Sequence, residues 1–166
     1  AQFVPVALRG AFQVCVHTQE LDWPRTWSSE QVGYLRWHLC ARKDHPVFEK
    51  PGAREVAKYP FVFPVYWTQE GFRYGSDQCP LPMAKRVRGV ETTTAAAAAE
   101  IVRQSDHLAF VPELAVRPYL QRGELMIVPV TSWRPVAQPV FLSVKNDVVK
   151  QSVFERLQVL CRKELA

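Results

Sequence analysis

Long apolar runs are missing. Nothing in the 166 residues approaches the roughly 18–20 consecutive apolar positions of a membrane span, so the chain reads as soluble. The opening AQFVPVALRG lacks a basic flank, a long apolar stretch and a cleavage site, so it does not read as a signal peptide. Cysteine is scarce and scattered. Cys15, Cys40, Cys79 and Cys161 show no C-x-x-C spacing and no clustered histidines, which argues against a zinc site. A reducing, cytoplasmic compartment fits such thiols. Cys15, Cys40 and Cys161 fall in apolar patterns, whereas Cys79, in the polar stretch GSDQCP, is the one expected to be exposed and reactive. Glycine is also sparse, at 7 residues, and none builds a dinucleotide or P-loop phosphate cradle. GxSxG, HExxH, helix-turn-helix and zinc-finger signatures are absent as well.

What is present is globular. The chain is 48% hydrophobic and 22% charged, which sets aside disorder and low complexity. The 21 Lys and Arg exceed the 16 Asp and Glu only modestly, and they form no basic stripe of the kind that tracks nucleic acid. His17, His38, His45 and His107 lie singly near strand ends, where a histidine is usually structural. The one acid–base pairing worth naming joins His17 to Asp22 or Glu20, and it would belong to a small α/β enzyme.

Strands and helices alternate along the chain. Residues 3–9 read as the end of a helix stopped by Gly10, followed by a strand at Phe12–Thr18. A Trp- and Pro-punctuated connection leads to a strand at Tyr34–Arg42 and a short helix in PGAREVAKYP. Phe61–Trp67 (FVFPVYW) is nearly continuous and β-branched, as in a strand buried on both faces of a parallel sheet. Thr68–Pro82 reads as a polar loop and Val87–Val90 as a brief strand. ETTTAAAAAEIVRQ is a run of strong helix formers with a threonine at its entrance to cap it. Strands at Leu108–Val111, Glu124–Val130 and Val140–Val144 follow, with a short helix at Glu113–Arg122 and an amphipathic helix at Asp147–Leu165. This order predicts an α/β fold with a mostly parallel sheet.

The second half, VETTTAAAAAEIVRQSDHLAFVPELAVRPYLQRGELMIVPV, resembles the effector-binding domain of LysR-type transcriptional regulators. Leu108-Ala-Phe-Val-Pro112 stands where that family has a short apolar strand closing in Pro, and Arg122-Gly-Glu-Leu125 where it has G-x-L. In the first half, Ala7–Val16 is similar to the family's L-x-x-G-x-L-D-L-A-I junction, Leu35–Pro46 to its crossing strand and K-x-H-P, and Tyr59–Val62 to its x-P-x-I. Gln13 stands where the family has Asp. Ser105-Asp106-His107 replaces a Gly-rich turn, which is then expected to close through the Asp side chain.

The resemblance implies two Rossmann-like α/β subdomains of the type 2 periplasmic-binding-protein kind, the first incomplete, with a small molecule in the cleft between them. Residues 1–31 and 140–166 would be part of subdomain I, and 32–139 subdomain II. A start in mid-helix on Ala rather than Met suggests a piece of a longer protein. The resemblance also implies DNA binding only through an N-terminal winged helix-turn-helix outside this sequence. Self-association as a dimer or tetramer, no membrane and no cofactor or metal complete the expectation. A periplasmic-type solute-binding protein is the alternative reading.

An anionic effector gains from a helix N-terminus. The residues expected to meet it are Thr92, Thr93 and Thr94, then Tyr66, Trp67 and Thr68 at a strand end, and His17 and Thr18 at the first crossing. The blander alternative leaves Thr92 as a cap and Trp67 as core, and the direction of Glu91 decides whether an anion is tolerated.

Overall fold

The computed structural model describes residues 3–68, 71–75 and 77–166. Its elements begin with α1 (Phe3–Leu8), β1 (Val14–His17), β2 (Trp27–Arg42), α2 (Ala53–Val56), β3 (Pro60–Thr68), β4 (Gly71–Tyr74) and β5 (Val87–Thr92). They continue with α3 (Ala95–Arg103), β6 (Ala109–Pro112), α4 (Glu113–Gln121), β7 (Leu125–Ile127), β8 (Val136–Lys145) and α5 (Gln151–Leu165). Two compact units divide the chain, one of Ala1–Leu35 and Ala137–Ala166, the other of Arg36–Val136.

In the first unit, α1 ends on Gly10, whose φ of +83° is one a side chain would strain and whose N–H donates to Ala7 O at 2.8 Å. β8 lies between β1 and the start of β2, antiparallel to β1 with Val14 opposite Val144 and His17 opposite Phe141. Alternation then sorts the side chains. Val140, Leu142 and Val144 join Val32 and Phe154 of α5 in one apolar core. The intervening Phe141 and Ser143 turn to the opposite face, where Phe141 stacks on His17 and Trp23 stacks on Trp27.

The second unit is closed on both faces. β2 runs antiparallel to β6, with Leu39 opposite Phe110 and Cys40 opposite Ala109, and antiparallel to β7. Leu39, Ala41, Leu108 and Phe110 face a core completed by Phe61, Phe63, Val47 and Val128. Cys40, Ala109 and Val111 face the other, completed by Val62, Val116 and the buried Ala98, Ala99 and Val102 of α3. Each fully buried valine there contributes about 1.5–3 kcal/mol over exposure. The alanine run lets α3 lie close on the sheet. β3 carries β5 parallel on one side and β4 antiparallel on the other, and a parallel bridge from Phe61 to Leu108 connects it to β6.

Several expectations change in detail. The fold class stands, but strand directions are more mixed than a mostly parallel sheet, because β8 runs against β1, and β2 runs against β6 and β7. β2 starts at Trp27 rather than Tyr34. Its polar SSEQ stretch is held by partners far away in sequence: Gln158 donates to Glu30 at 2.6 Å, and Ser29 meets Ser143 at 2.8 Å. β4 occupies part of the expected loop; its Phe72 and Tyr74 are exposed, so burial left no apolar signature. The turn after α3 closes through Ser105 rather than Asp106. The Ser105 hydroxyl donates to Ile101 O at 2.6 Å and accepts from His107 N at 3.3 Å, while Asp106 accepts from Arg42. Among the described residues, no helix is long and apolar enough to cross a membrane, and no cluster of His, Cys, Asp and Glu could hold a metal ion.

Candidate functional site

The helix predicted after the threonine run begins at Ala95, and its cap is Thr94 rather than Thr92. Thr94 has extended backbone, with φ −132° and ψ 143°, and its hydroxyl accepts from Ala97 N at 3.2 Å. The helix itself offers no partner to the N–H groups of Ala95 and Ala96, its first two residues. Thr92 stands just outside, where its hydroxyl receives a long 3.4 Å bond from Thr94 N.

A cavity of about 160 Å³ opens beside this terminus, wholly within the second unit. Thr92, Thr93 and Thr94 line one side of it. The methyl groups of Ala95 and Ala98 leave room that longer side chains would fill. Trp37, Phe110 and Tyr66 supply flat aromatic surface, and Trp37 and Phe110 stack on each other with centroids 6.1 Å apart. Gly75 matters here, because a Cβ on it would come within 1.9 Å of the Tyr66 ring.

Among the described residues, one charged residue lines the cavity. Asp77 is 4% exposed, and the guanidinium of Arg86, itself buried, donates to both of its carboxylate oxygens. Asp77 Oδ1 also accepts from Cys79 N at 3.2 Å. Arg86 lies over the rings of Phe61 and Phe63 at 5.3 and 5.1 Å, and its Nε is buried without a partner among the described residues. The pair brings an acceptor to the cavity wall with its charge already balanced.

His17 and Thr18 are not among the residues that line this cavity. They belong to the first unit. His17 is buried there; its Nδ1–H donates to Gln19 O at 2.7 Å, and Nε2 lies 2.8 Å from Ser143 Oγ. Burial holds its pKa below the usual histidine value, the bond to Gln19 opposing in part. A histidine beside a serine suggests a base and a nucleophile, but Ser143 has 0% exposure and sits against Ser29, so no substrate reaches it. The side chains of Trp67 and Thr68 lie outside the described ones. Glu91 is exposed at the end of β5, its carboxylate held by the Tyr74 hydroxyl, and it does not line the cavity. The remaining histidines are engaged structurally: His38 with Glu113 at 3.1 Å, His45 capping the turn at Val47, His107 with Ser105. Cys79 is a correction. It packs against the core, and burial pushes its thiol up to about 11, so it is a poor thiolate rather than a reactive one.

The family model of the LysR substrate binding domain matches residues 1–166. The chain belongs to that family. It is thus a ligand-sensing regulatory domain of the LysR type. Similar solved structures agree on the fold at low identity. A probable transcriptional regulator from Pseudomonas aeruginosa is 17% identical, with a TM-score of 0.65 over 98% of this chain and 51% of that one. The regulatory domain of MetR, a LysR family regulator from N. meningitidis, is 14% identical, with a TM-score of 0.64 over 99% of this chain and 75% of that one. Full-length LysG from Corynebacterium glutamicum with bound effector arginine is 15% identical, with a TM-score of 0.62 over 97% and 53%. The chain therefore spans about half the length of the full-length regulators. No curated protein matches it.

Within this LysR-type domain, Tyr66 and the three threonines expected from the sequence line the cavity, and so do Asp77, Trp37 and Phe110, which the sequence did not single out. Trp37 and Phe110 read as core because they alternate correctly for it. Asp77 sits in an irregular stretch where no period marks a buried side chain.

Proposed function

We propose that the domain senses a small anionic effector whose acid group sits on Thr92, Thr93 and Thr94 and on the first N–H groups of α3. The observation that carries this reading is a cavity at a capped helix terminus, with hydroxyl donors and two amides left over by the helix. The positive end of the helix favours negative charge there, and Glu91 is tied to Tyr74 beyond the cavity. Tyr66 extends the same wall, and Trp67 and Thr68, next to it in sequence, are kept as proposed effector contacts in this reading. His17 and Thr18, the other residues expected to contact the effector, act in it by shaping the first unit.

Occupancy shifts the population of the domain's conformations, and this is read out by a DNA-binding winged helix-turn-helix elsewhere in the protein. In this proposal the regulator works in the cytoplasm as a dimer or tetramer, and it is a sensor rather than an enzyme. LysG, solved with bound arginine, shows that a small-molecule effector suits a relative of this fold.

A thermal-shift panel of small organic acids against their uncharged analogues tests the reading. Acids are expected to raise the melting temperature, and Thr93→Val to blunt the rise without lowering the melting temperature of the free protein. A panel in which no acid stabilises the domain would overturn it.

A further inference from the structure

We infer that the effector is a small flat aromatic carboxylic acid carrying a neutral hydrogen-bond donor, such as a hydroxyl, away from its carboxylate. This deepens the reading above and rests on it. The cavity has two chemical characters. Thr92, Thr93 and the α3 amides offer hydrogen-bond donors at the positive end of a helix, which favours an acceptor bearing negative charge, whereas Asp77, as a carboxylate, can only accept.

Asp77 is not fully used. Among the described residues, Oδ1 receives Cys79 N and Arg86, while Oδ2 receives Arg86 alone, which leaves a lone pair on a residue that lines an otherwise largely apolar cavity. A buried acceptor of that kind is matched by a donor on the ligand. Charge balance selects which donor. Because Arg86 already neutralises Asp77, an ammonium would give up its hydration for little net attraction, whereas a hydroxyl loses less and makes the same bond.

Size and shape select the body. About 160 Å³ lies below the roughly 300–1,000 Å³ of sites for drug-sized ligands. It corresponds to about five waters at their liquid volume, which suits one ring with two substituents. Trp37, Phe110 and Tyr66 present the flat surfaces against which such a ring packs.

Calorimetry on the unmodified chain decides the matter, with benzoate, 3- and 4-hydroxybenzoate, their methoxy counterparts, 4-(aminomethyl)benzoate and 4-hydroxybenzyl alcohol as probes. At least one hydroxybenzoate is expected to bind about 10-fold or more tightly than benzoate and its methoxy counterpart. It should also bind more tightly than the aminomethyl acid, and the alcohol should not bind. Replacing both members of the ion pair, Asp77→Leu with Arg86→Met, should erase the hydroxyl preference while benzoate still binds, with circular dichroism confirming the fold. Equal binding of hydroxy and methoxy acids, or tighter binding of the ammonium, would overturn the donor match and leave the acid site standing. Binding of aliphatic acids with no aromatic acid bound would overturn the aromatic class alone. Binding of no acid of either kind would sink the underlying site as well.

Discussion

The two units solve the same packing problem differently. The second closes both faces of its sheet with apolar cores, one against α3 and α4, the other around Phe61 and Leu108. The first closes one face with α5 and leaves the other to a cluster of histidine, serine and aromatic side chains. Apolar closure on two faces lets the second unit hold a cavity and a buried ion pair, features that cost stability wherever packing around them is incomplete. The first unit instead spends its polar groups on one another: Gln19, His17, Ser143 and Ser29 form a chain of contacts.

The largest effect should follow from breaking the ion pair. Asp77→Ala leaves the Arg86 guanidinium buried and unpaired and should cost about 3–5 kcal/mol in denaturant unfolding. The double replacement by Leu and Met should recover most of it, and a double variant as damaged as the single would show that the pair itself holds the second unit together.

Core truncation tests whether the units are independent. Leu142→Ala, at a fully buried position of the first unit, should cost about 2–5 kcal/mol. Hydrogen exchange should accelerate in β1, β8 and α5 while the amides of β3 and β6 keep their protection. Equal loosening of both units would break the comparison.

Removing the helix cap comes next. Thr94→Ala should cost about 1 kcal/mol, because Ala97 N loses its acceptor, and should weaken acid binding as well. Thr92→Val should weaken binding with little effect on stability, since its bond at 3.4 Å is long.

Acid should act on both units through histidine. Burial lowers the pKa of His17 and of His45 in the folded protein. For His45, the backbone bond to Asp106 O and the charge of Asp106 oppose that fall, and the charge of Arg42 adds to it. The His45 ring is fixed as neutral: its Nδ1 accepts from Val47 N at 2.9 Å while Nε2–H donates to Asp106 O at 3.1 Å. A lowered folded pKa means that the unfolded chain binds protons first. The stabilisation is complete above the unfolded value near 6.5 and is lost as pH falls through the folded values. Melting temperature should hold flat from pH 8 to 7 and decline below about 6.5, less steeply in His17→Gln. A profile that rises on acidification would contradict the neutral assignment.

Much of this was readable from residue order. The alanine run, the Gly10 stop, the Phe61–Trp67 run and the apolar spacing of α5 each state their element through local periodicity, and the motif order names the family. What escaped has a common cause. SSEQ in β2 is held by partners distant in the chain, and β4, the hairpin partner of β3, leaves Phe72 and Tyr74 exposed; a local period registers neither. The cavity wall was half legible for the same reason. A threonine at a helix start announces itself, but Asp77 acquires its meaning only from Arg86, nine residues on, and from the aromatic rings that bury them both.

The most direct test of the central claim is a titration of the ¹⁵N-labelled chain with 4-hydroxybenzoate, followed by amide chemical shifts. The amides of Ala95 and Ala96 should move furthest and saturate together with those of Thr93 and Thr94, while residues of the first unit change little. Saturable shifts confined to residues 1–35 and 137–166, with Ala95 and Ala96 unmoved, would contradict it.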